Sequence, residues 1–128
     1  MLDFNKDSIF NLKKIEEDQI NRNIPFLLTD DEEIVGAYRT VRDQVIFTNK
    51  RIITLDVRGI TGVRKEYFTL PYTRIQYYSI QTVGFLELLP DAELTLFFAN
   101  GATAIYEFKG TNNILEIGKI IGKYILEK

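Results

Sequence analysis

The sequence predicts a mainly β domain of about seven antiparallel strands, set between a helix at each end. Three observations predict it. From Ile34 onward, apolar residues recur with a period of two over most of the chain. Turn-forming pairs punctuate those stretches at Asn49-Lys50, Gly59 to Gly62, Pro71 and Asn100-Gly101. The period then lengthens to that of a helix over the last turns of the chain. Seven twisted strands in so short a chain must curl into a barrel or a sandwich, and an amphipathic helix directly after the last strand can cover one end of a barrel.

The elements follow in order. Residues 7–22 read as a helix: Asp7 or Ser8 supplies an N-cap, and Ile9, Leu12, Ile15 and Ile20 lie along a wide stripe. Pro25 is expected to stop it and to hold Ile24 extended. Ile34–Val41 and Gln44–Thr48 read as strands joined across Arg42-Asp43. Arg51–Val57 follows the Asn49-Lys50 turn, with Ile53, Leu55 and Val57 alternating against Ile52, Thr54 and Asp56. Arg58–Gly62 is a loop, Arg64–Leu70 a strand ended by Pro71, Ile75–Val83 a strand, and Gly84 to Asp91 a loop with apolar content. Leu94–Phe98 and Ala102–Phe108 form a hairpin around Asn100-Gly101, a pair that suits a two-residue type I′ turn because both centres of that turn need positive φ. A helix from about Asn113 to Leu126 closes the chain. Asn113 and Glu116 have capping-box spacing there, Ile114, Ile117, Ile121, Tyr124 and Ile125 recur at helical intervals, and Gly118 and Gly122 permit close approach to a sheet.

Composition removes several function classes. The 128 residues include 16 Lys+Arg and 18 Asp+Glu, a net charge of −2, and no Cys, His or Trp. Disulfides, thiolate or imidazole metal sites, Cys nucleophiles and His-based triads are therefore excluded. The near-neutral balance speaks against a nucleic-acid partner, which normally meets a strongly basic domain. The acidic residues fall mostly in the first quarter, and the middle is mildly basic. No segment reaches the roughly 18 apolar residues of a membrane span. The start lacks a basic leader with an apolar block, and absence of Cys fits a reducing compartment, so a cytoplasmic chain is expected.

Three blocks carry a resemblance. Residues 33–56, EIVGAYRTVRDQVIFTNKRIITLD, resemble the opening of bacterial pleckstrin-homology domains, with the FTNKR-like turn at Phe47 to Arg51. Residues 56–75 resemble their G-I-T-G loop, here Gly59-Ile60-Thr61-Gly62, and their Pro-Tyr corner, here Pro71-Tyr72. Residues 90–98 resemble their D-A-E-L strand start at Asp91 to Leu94. The resemblance spans residues 28–128 and leaves residues 1–27 as an added acidic helical arm. It implies a pleckstrin-homology-like, seven-stranded bent antiparallel barrel capped by the C-terminal α-helix. It also implies a non-enzymatic binding or scaffolding module that forms ring-like homo-oligomers, a pentamer being the family's best guide. Eukaryotic relatives hold inositol phosphates in the first strand–strand loop. Here that loop is only about Arg42-Asp43, too short and too poor in Lys to cradle such a head group.

Chemistry-bearing patterns are otherwise sparse. Asp30 to Glu33 and Glu16-Glu17 lie where a solvated loop is the ordinary reading of adjacent carboxylates. Gly59 to Gly62 lacks the longer glycine pattern and Lys-Ser/Thr pair of a nucleotide loop. No catalytic residue, cofactor or metal is expected. The remaining candidates are surfaces. Arg42, Lys50, Arg51 and Arg58 stand at loop ends as partner contacts. If Ile53, Leu55, Leu94, Leu96, Phe98, Tyr106 and Phe108 face inward, then Ile52, Phe97 and Ile105 face outward as a self-assembly surface, joined by Ile46 and by Tyr78 or Ile80. The expected function is a protein-interaction and oligomeric scaffold module that binds itself and a further protein. The alternative is a peripheral membrane module that binds anionic lipid head groups through its basic loops.

Overall fold

The stretches with period two become strands where the spacing places them. In the computed structural model, which describes residues 8–59, 61–83, 91–110 and 112–127, the strands are β1 (Ser8–Lys14), β2 (Ile34–Arg39), β3 (Gln44–Thr48), β4 (Arg51–Arg58), β5 (Arg64–Pro71), β6 (Ile75–Val83), β7 (Asp91–Phe98) and β8 (Thr103–Phe108). A one-turn helix, α1 (Ile24–Leu27), precedes β2, and α2 (Asn112–Leu126) ends the chain. Strands β2–β5 form one antiparallel meander and β6–β8 a second, linked by a 3₁₀ turn at Tyr72–Arg74. The expected loop over residues 84–90 lies outside the described residues.

The largest departure from the sequence reading is at the N-terminus. The helix expected over residues 7–22 does not form; residues 8–14 are β1. It runs parallel to β8, pairing Ser8 with Ile105 and, after a register shift between Ile9 and Leu12, Leu12 with Phe108. Asn11 then takes φ 64°, a left-handed conformation that Asn tolerates better than most residues. The register shifts there, and beyond it the strand pairs antiparallel with β2 on its other side, Lys13 opposite Arg39 and Lys14 opposite Tyr38. One strand thus joins the two meanders into a single eight-stranded sheet, in the order β5-β4-β3-β2-β1-β8-β7-β6. The physical reason is backbone accounting. A helix here would leave the facing edges of β2 and β8 without ladder partners, and β1 satisfies both.

The wide apolar stripe of the expected helix is in fact two faces. Ile9 and Leu12 enter the barrel interior, while Ile15 packs on the outside of the sheet. Pro25 does not stop a helix but stands in the first turn of α1, where its missing N–H costs nothing.

Two cores result. The interior one includes Leu12, Tyr38, Phe47, Ile52, Leu94, Leu96, Tyr106 and Phe108, with Ile117, Ile121 and Ile125 supplied by α2. The Tyr38 and Phe108 rings meet edge to face at 4.8 Å. Each fully buried side chain of this size contributes at most about 1.5–3 kcal/mol. The second core lies on the outer face of β2–β4, where Ile15 and Ile24 cover Ala37, Ile46 and Ile53, with Ile20, Leu28, Ile34 and Tyr67 around them.

This double burial reverses one assignment. Ile52 does not face outward; it is fully buried in the interior, and Ile53, expected inside, lies in the outer core. Strand β4 is apolar at both parities from Ile52 to Ile53, so alternation could not choose a face. The choice is visible further along, where Thr54 points inward and meets the Tyr106 hydroxyl at 3.0 Å. Ile46 faces outward as expected, but beneath residues 15–28, whereas Tyr78 and Ile80 pack against the interior core under α2 and not on the outer face.

The β7–β8 hairpin forms with a different turn. Phe98 N donates to Ala102 O at 3.0 Å and Gly101 N to Phe98 O at 3.0 Å, so the loop has three residues. Gly101 alone carries the positive φ (86°), and the Asn100 side chain accepts from Ala102 N. That is a type I turn followed by a left-handed glycine, not the type I′ turn. Helix α2 lies against β6 and β7, but its close approach is set elsewhere: a Cβ on Gly36 of β2 would stand 3.2 Å from Ile120 Cδ1. Glu116 accepts from the Tyr38 hydroxyl and pairs with Lys14, and the Asn113 side chain lies outside the described residues.

Candidate binding surfaces

The four loop cations do not converge. Arg42 and Arg58 stand near the β2–β3 and β4–β5 turns, where Arg42 Nη2 donates to Gly59 O. Lys50 and Arg51 stand at the β3–β4 turn. Arg51 is committed to the fold. Its Nε and Nη2 donate to the two Glu32 oxygens at 2.8 and 3.0 Å, Nη2 also to Leu27 O at 2.7 Å, and Nη1 to Thr69 Oγ1 at 2.9 Å. Glu32 is 7% exposed and accepts further bonds from Thr48 Oγ1 at 2.6 Å and Thr29 N at 3.1 Å. Burial alone would push the Glu32 carboxyl up; Arg51, Thr48 and Thr29 together overcome it and hold the group at about 2. Lys50 pairs with Asp31 at 3.0 Å in solvent, a contact of small worth. Arg58 pairs with Asp56 at 3.0 Å and Glu66 at 3.3 Å.

The outer face of β6–β8 has a different character. Tyr77 lies directly opposite Phe97, and their rings stack at 4.3 Å with an 8° interplanar angle. Phe97 pairs with Thr103, which places Ile105 on the next diagonal of the same face. Tyr77 is 60% exposed, and Phe97 and Ile105 are half-buried. Residues 15–28 cover the outer face of β2–β4 and not this stripe. It borders β6, one of two strands, with β5, that end the sheet.

A third feature was hidden from sequence reasoning. Asn11, Lys13, Arg39, Thr40, Val41, Arg42, Asp43 and Lys109 line an open hollow of about 980 Å³ beside the irregularity of β1 at Asn11. Three elements distant in the chain supply it. Reading residues 7–22 as a helix placed Lys13 far from Arg39 and Lys109, so no basic cluster was visible. The available signal was Asn11, a residue tolerant of a left-handed bend between Ile9 and Leu12. Among the described residues there is no cluster of His, Cys, Asp and Glu able to hold a metal ion, and no helix is long and apolar enough to cross a membrane.

Comparison with known proteins agrees with this architecture. The family model described as bacterial PH domain matches residues 3–125. The Bacillus subtilis strain 168 protein YjqA is 28% identical over 111 residues, 87% of this chain and 89% of that one. A solved DUF1696 family protein with a pleckstrin-homology domain, from Shewanella loihica PV-4, superposes with a TM-score of 0.78 at 30% identity, covering 91% of this chain and 98% of that one. A pleckstrin homology domain from Shewanella amazonensis SB2B superposes with a TM-score of 0.61 at 35% identity, covering 80% of this chain and 82% of that one.

Proposed function

The chain belongs to the bacterial PH domain family, and from that premise we propose that it is a non-enzymatic protein-interaction module that works as a ring-like homo-oligomer in the cytoplasm. Its fold is that of a binding module. The observation that carries the assembly reading is the outward-facing Tyr77–Phe97–Ile105 stripe beside a sheet edge. Stacked aromatic rings and a β-branched residue on a strand face are interface chemistry. Each copy also ends in two strands, β5 and β6, that lack a second ladder partner among the described residues. Two such edges on one chain permit head-to-tail contacts, which close into a ring when the rotation between copies allows. Five copies is the stoichiometry we propose. Repeated display then converts weak contacts with a further protein into avidity.

Of the original assembly residues, Phe97 and Ile105 stay in this reading and Ile52 leaves it, since it is buried in the interior. Among the four loop cations, Lys50, Arg51 and Arg58 are ion-paired. That favours assembly over a membrane module acting through those loops. Light scattering on the chain at tens of micromolar is expected to give the mass of several copies. Phe97→Glu with Ile105→Glu is expected to give a monomer of unchanged circular dichroism, because both side chains lie outside the interior core. A wild-type protein that is strictly monomeric under those conditions would remove the assembly reading.

A further inference from the structure

We propose that the hollow at the corner between β5 and β6 is a binding site for the C-terminal carboxylate of a peptide whose last residue is apolar, with Arg74 holding the carboxylate. The corner is fixed from within. Pro71 ends β5, and the 3₁₀ turn Tyr72–Arg74 follows. Tyr72 is buried and its hydroxyl donates to Thr48 O at 2.7 Å, while Ile75, on the other side of Arg74, is buried too. Arg74 thus stands between two anchored neighbours and is itself exposed. The β7–β8 turn lies beside this corner, because Ile75 pairs with Phe98. Corner and turn together line an open hollow of about 470 Å³, with Leu70 and Pro71 on one side and Phe98, Ala99 and Ala102 on the other.

The polar side chains of this hollow offer donors. Arg74 has no carboxylate partner among the described residues, whereas Lys14, Lys50, Arg51 and Arg58 are each ion-paired. Asn100 Oδ1 already accepts from Ala102 N at 3.0 Å, which leaves the Nδ2 hydrogens to donate. Thr69 Oγ1 accepts from Arg51 Nη1 at 2.9 Å, which leaves its own hydroxyl hydrogen to donate. Among the described residues no carboxylate lines the hollow. Donors around one guanidinium, beside apolar surface, are complementary to an anion carried on an apolar body.

Charge selects the anion. The single cation Arg74 balances a monoanion, and its planar fork matches the two oxygens of a carboxylate. A phosphate monoester, at about −1.5 to −2 near pH 7, would stay largely uncompensated, since neighbouring Arg51 is held by Glu32. Openness selects the carrier. A long acyl chain would keep most of its length in water here, whereas a single Leu or Val side chain meets the apolar lining and leaves the peptide backbone solvated at the mouth. The site gives a chemistry to the further protein of the interaction-module reading and rests on that reading to that extent. It does not share the assembly stripe: Phe97 lies on the outer face, and Phe98 packs against the interior core.

The test is titration of the full chain with a short acetylated peptide ending in Leu, followed by amide NMR, beside the same peptide as its C-terminal amide. The free acid is expected to shift the Arg74 amide and those of Ala99 to Gly101 in a saturable way. The amidated peptide is expected to bind roughly tenfold or more weakly, because its charge-assisted pair with Arg74 is gone. Arg74→Ala should weaken the free acid by a similar factor and bring the two peptides level, with circular dichroism unchanged because Arg74 is exposed. Arg74→Lys keeps the charge without the fork and should fall between. Equal binding of acid and amide by wild type would overturn the proposal. So would an Arg74→Ala protein that still discriminates between them, or a free acid that leaves those amides unmoved at millimolar concentration. Decanoate that binds at the same amides more tightly than the peptide would give the site to a fatty acid and overturn the peptide assignment. Light scattering keeps the two readings apart: a monomer that binds the free acid retains this site and loses the ring, and a ring indifferent to the peptide loses this site alone.

Discussion

Arg51→Ala is expected to destabilise the protein by about 3–5 kcal/mol, the usual result of stripping one partner from a buried ion pair. The Glu32 side chain is 1% exposed and Arg51 18%, so truncating Arg51 leaves a carboxylate in the fold with only Thr48 and Thr29 to hold it. Exchanging both partners, as in Glu32→Leu/Arg51→Met, should cost far less than the single change, because no orphaned charge remains. The same pair sets an acid limit. Glu32 is held at about 2 in the folded chain against 4.5 for the free group. A carboxyl depressed by folding stabilises above its unfolded value and loses that contribution as pH falls toward its folded one. The wild type should therefore lose on the order of 3 kcal/mol between about pH 5 and pH 2 from this group. Urea unfolding at a series of pH values measures it. Glu32→Gln should be less stable at pH 7 and show a flatter acid limb. An equal acid slope in that variant would show that other carboxylates govern the acid limit.

The strands of the two meanders were legible because each has a partner close in the chain and a turn residue to mark its end. Asn49-Lys50 and Asn100-Gly101 located their hairpins even where, as at Asn100, the turn type differed. The fate of residues 8–28 was illegible for a physical reason. Their apolar side chains serve two cores on opposite faces of one sheet, and a projection onto a helical wheel merges both into one broad stripe. The same two-sided burial defeated alternation on β4, where Ile52 and Ile53 both find apolar surroundings. On β7, alternation held from Ala92 to Leu96, because the opposite face of that strand is not covered by residues 15–28. The outward direction was therefore readable at Phe97 and Ile105 and misread at Ile52. The basic hollow was unreadable without β1 lying between β2 and β8, since local pattern cannot join residues 13, 39 and 109.

The place of β1 in the fold is tested most directly at Leu12, where replacement by Ala is expected to cost about 2–5 kcal/mol, as for other fully buried leucines. Leu12 is 0% exposed and sits in the interior core that holds Tyr38 and Phe108. Its carbonyl also accepts from Lys109 N at 2.8 Å, so the residue joins the side-chain core and the β1–β8 seam. Neighbouring Lys13→Ala removes an exposed side chain from the same strand, and its effect should stay within about 0.5 kcal/mol. The contrast between adjacent positions separates a strand from a detachable helix. In a detachable arm neither change touches the barrel, and amide exchange of β8 would be the same in both variants. With β1 as the strand that closes β2 against β8, Leu12→Ala should speed exchange at the Lys109 amide while leaving the β3–β4 ladder, on the far side of β2 from β1, protected. A Leu12→Ala protein as stable as wild type, with an unchanged Lys109 amide, would remove β1 from the sheet.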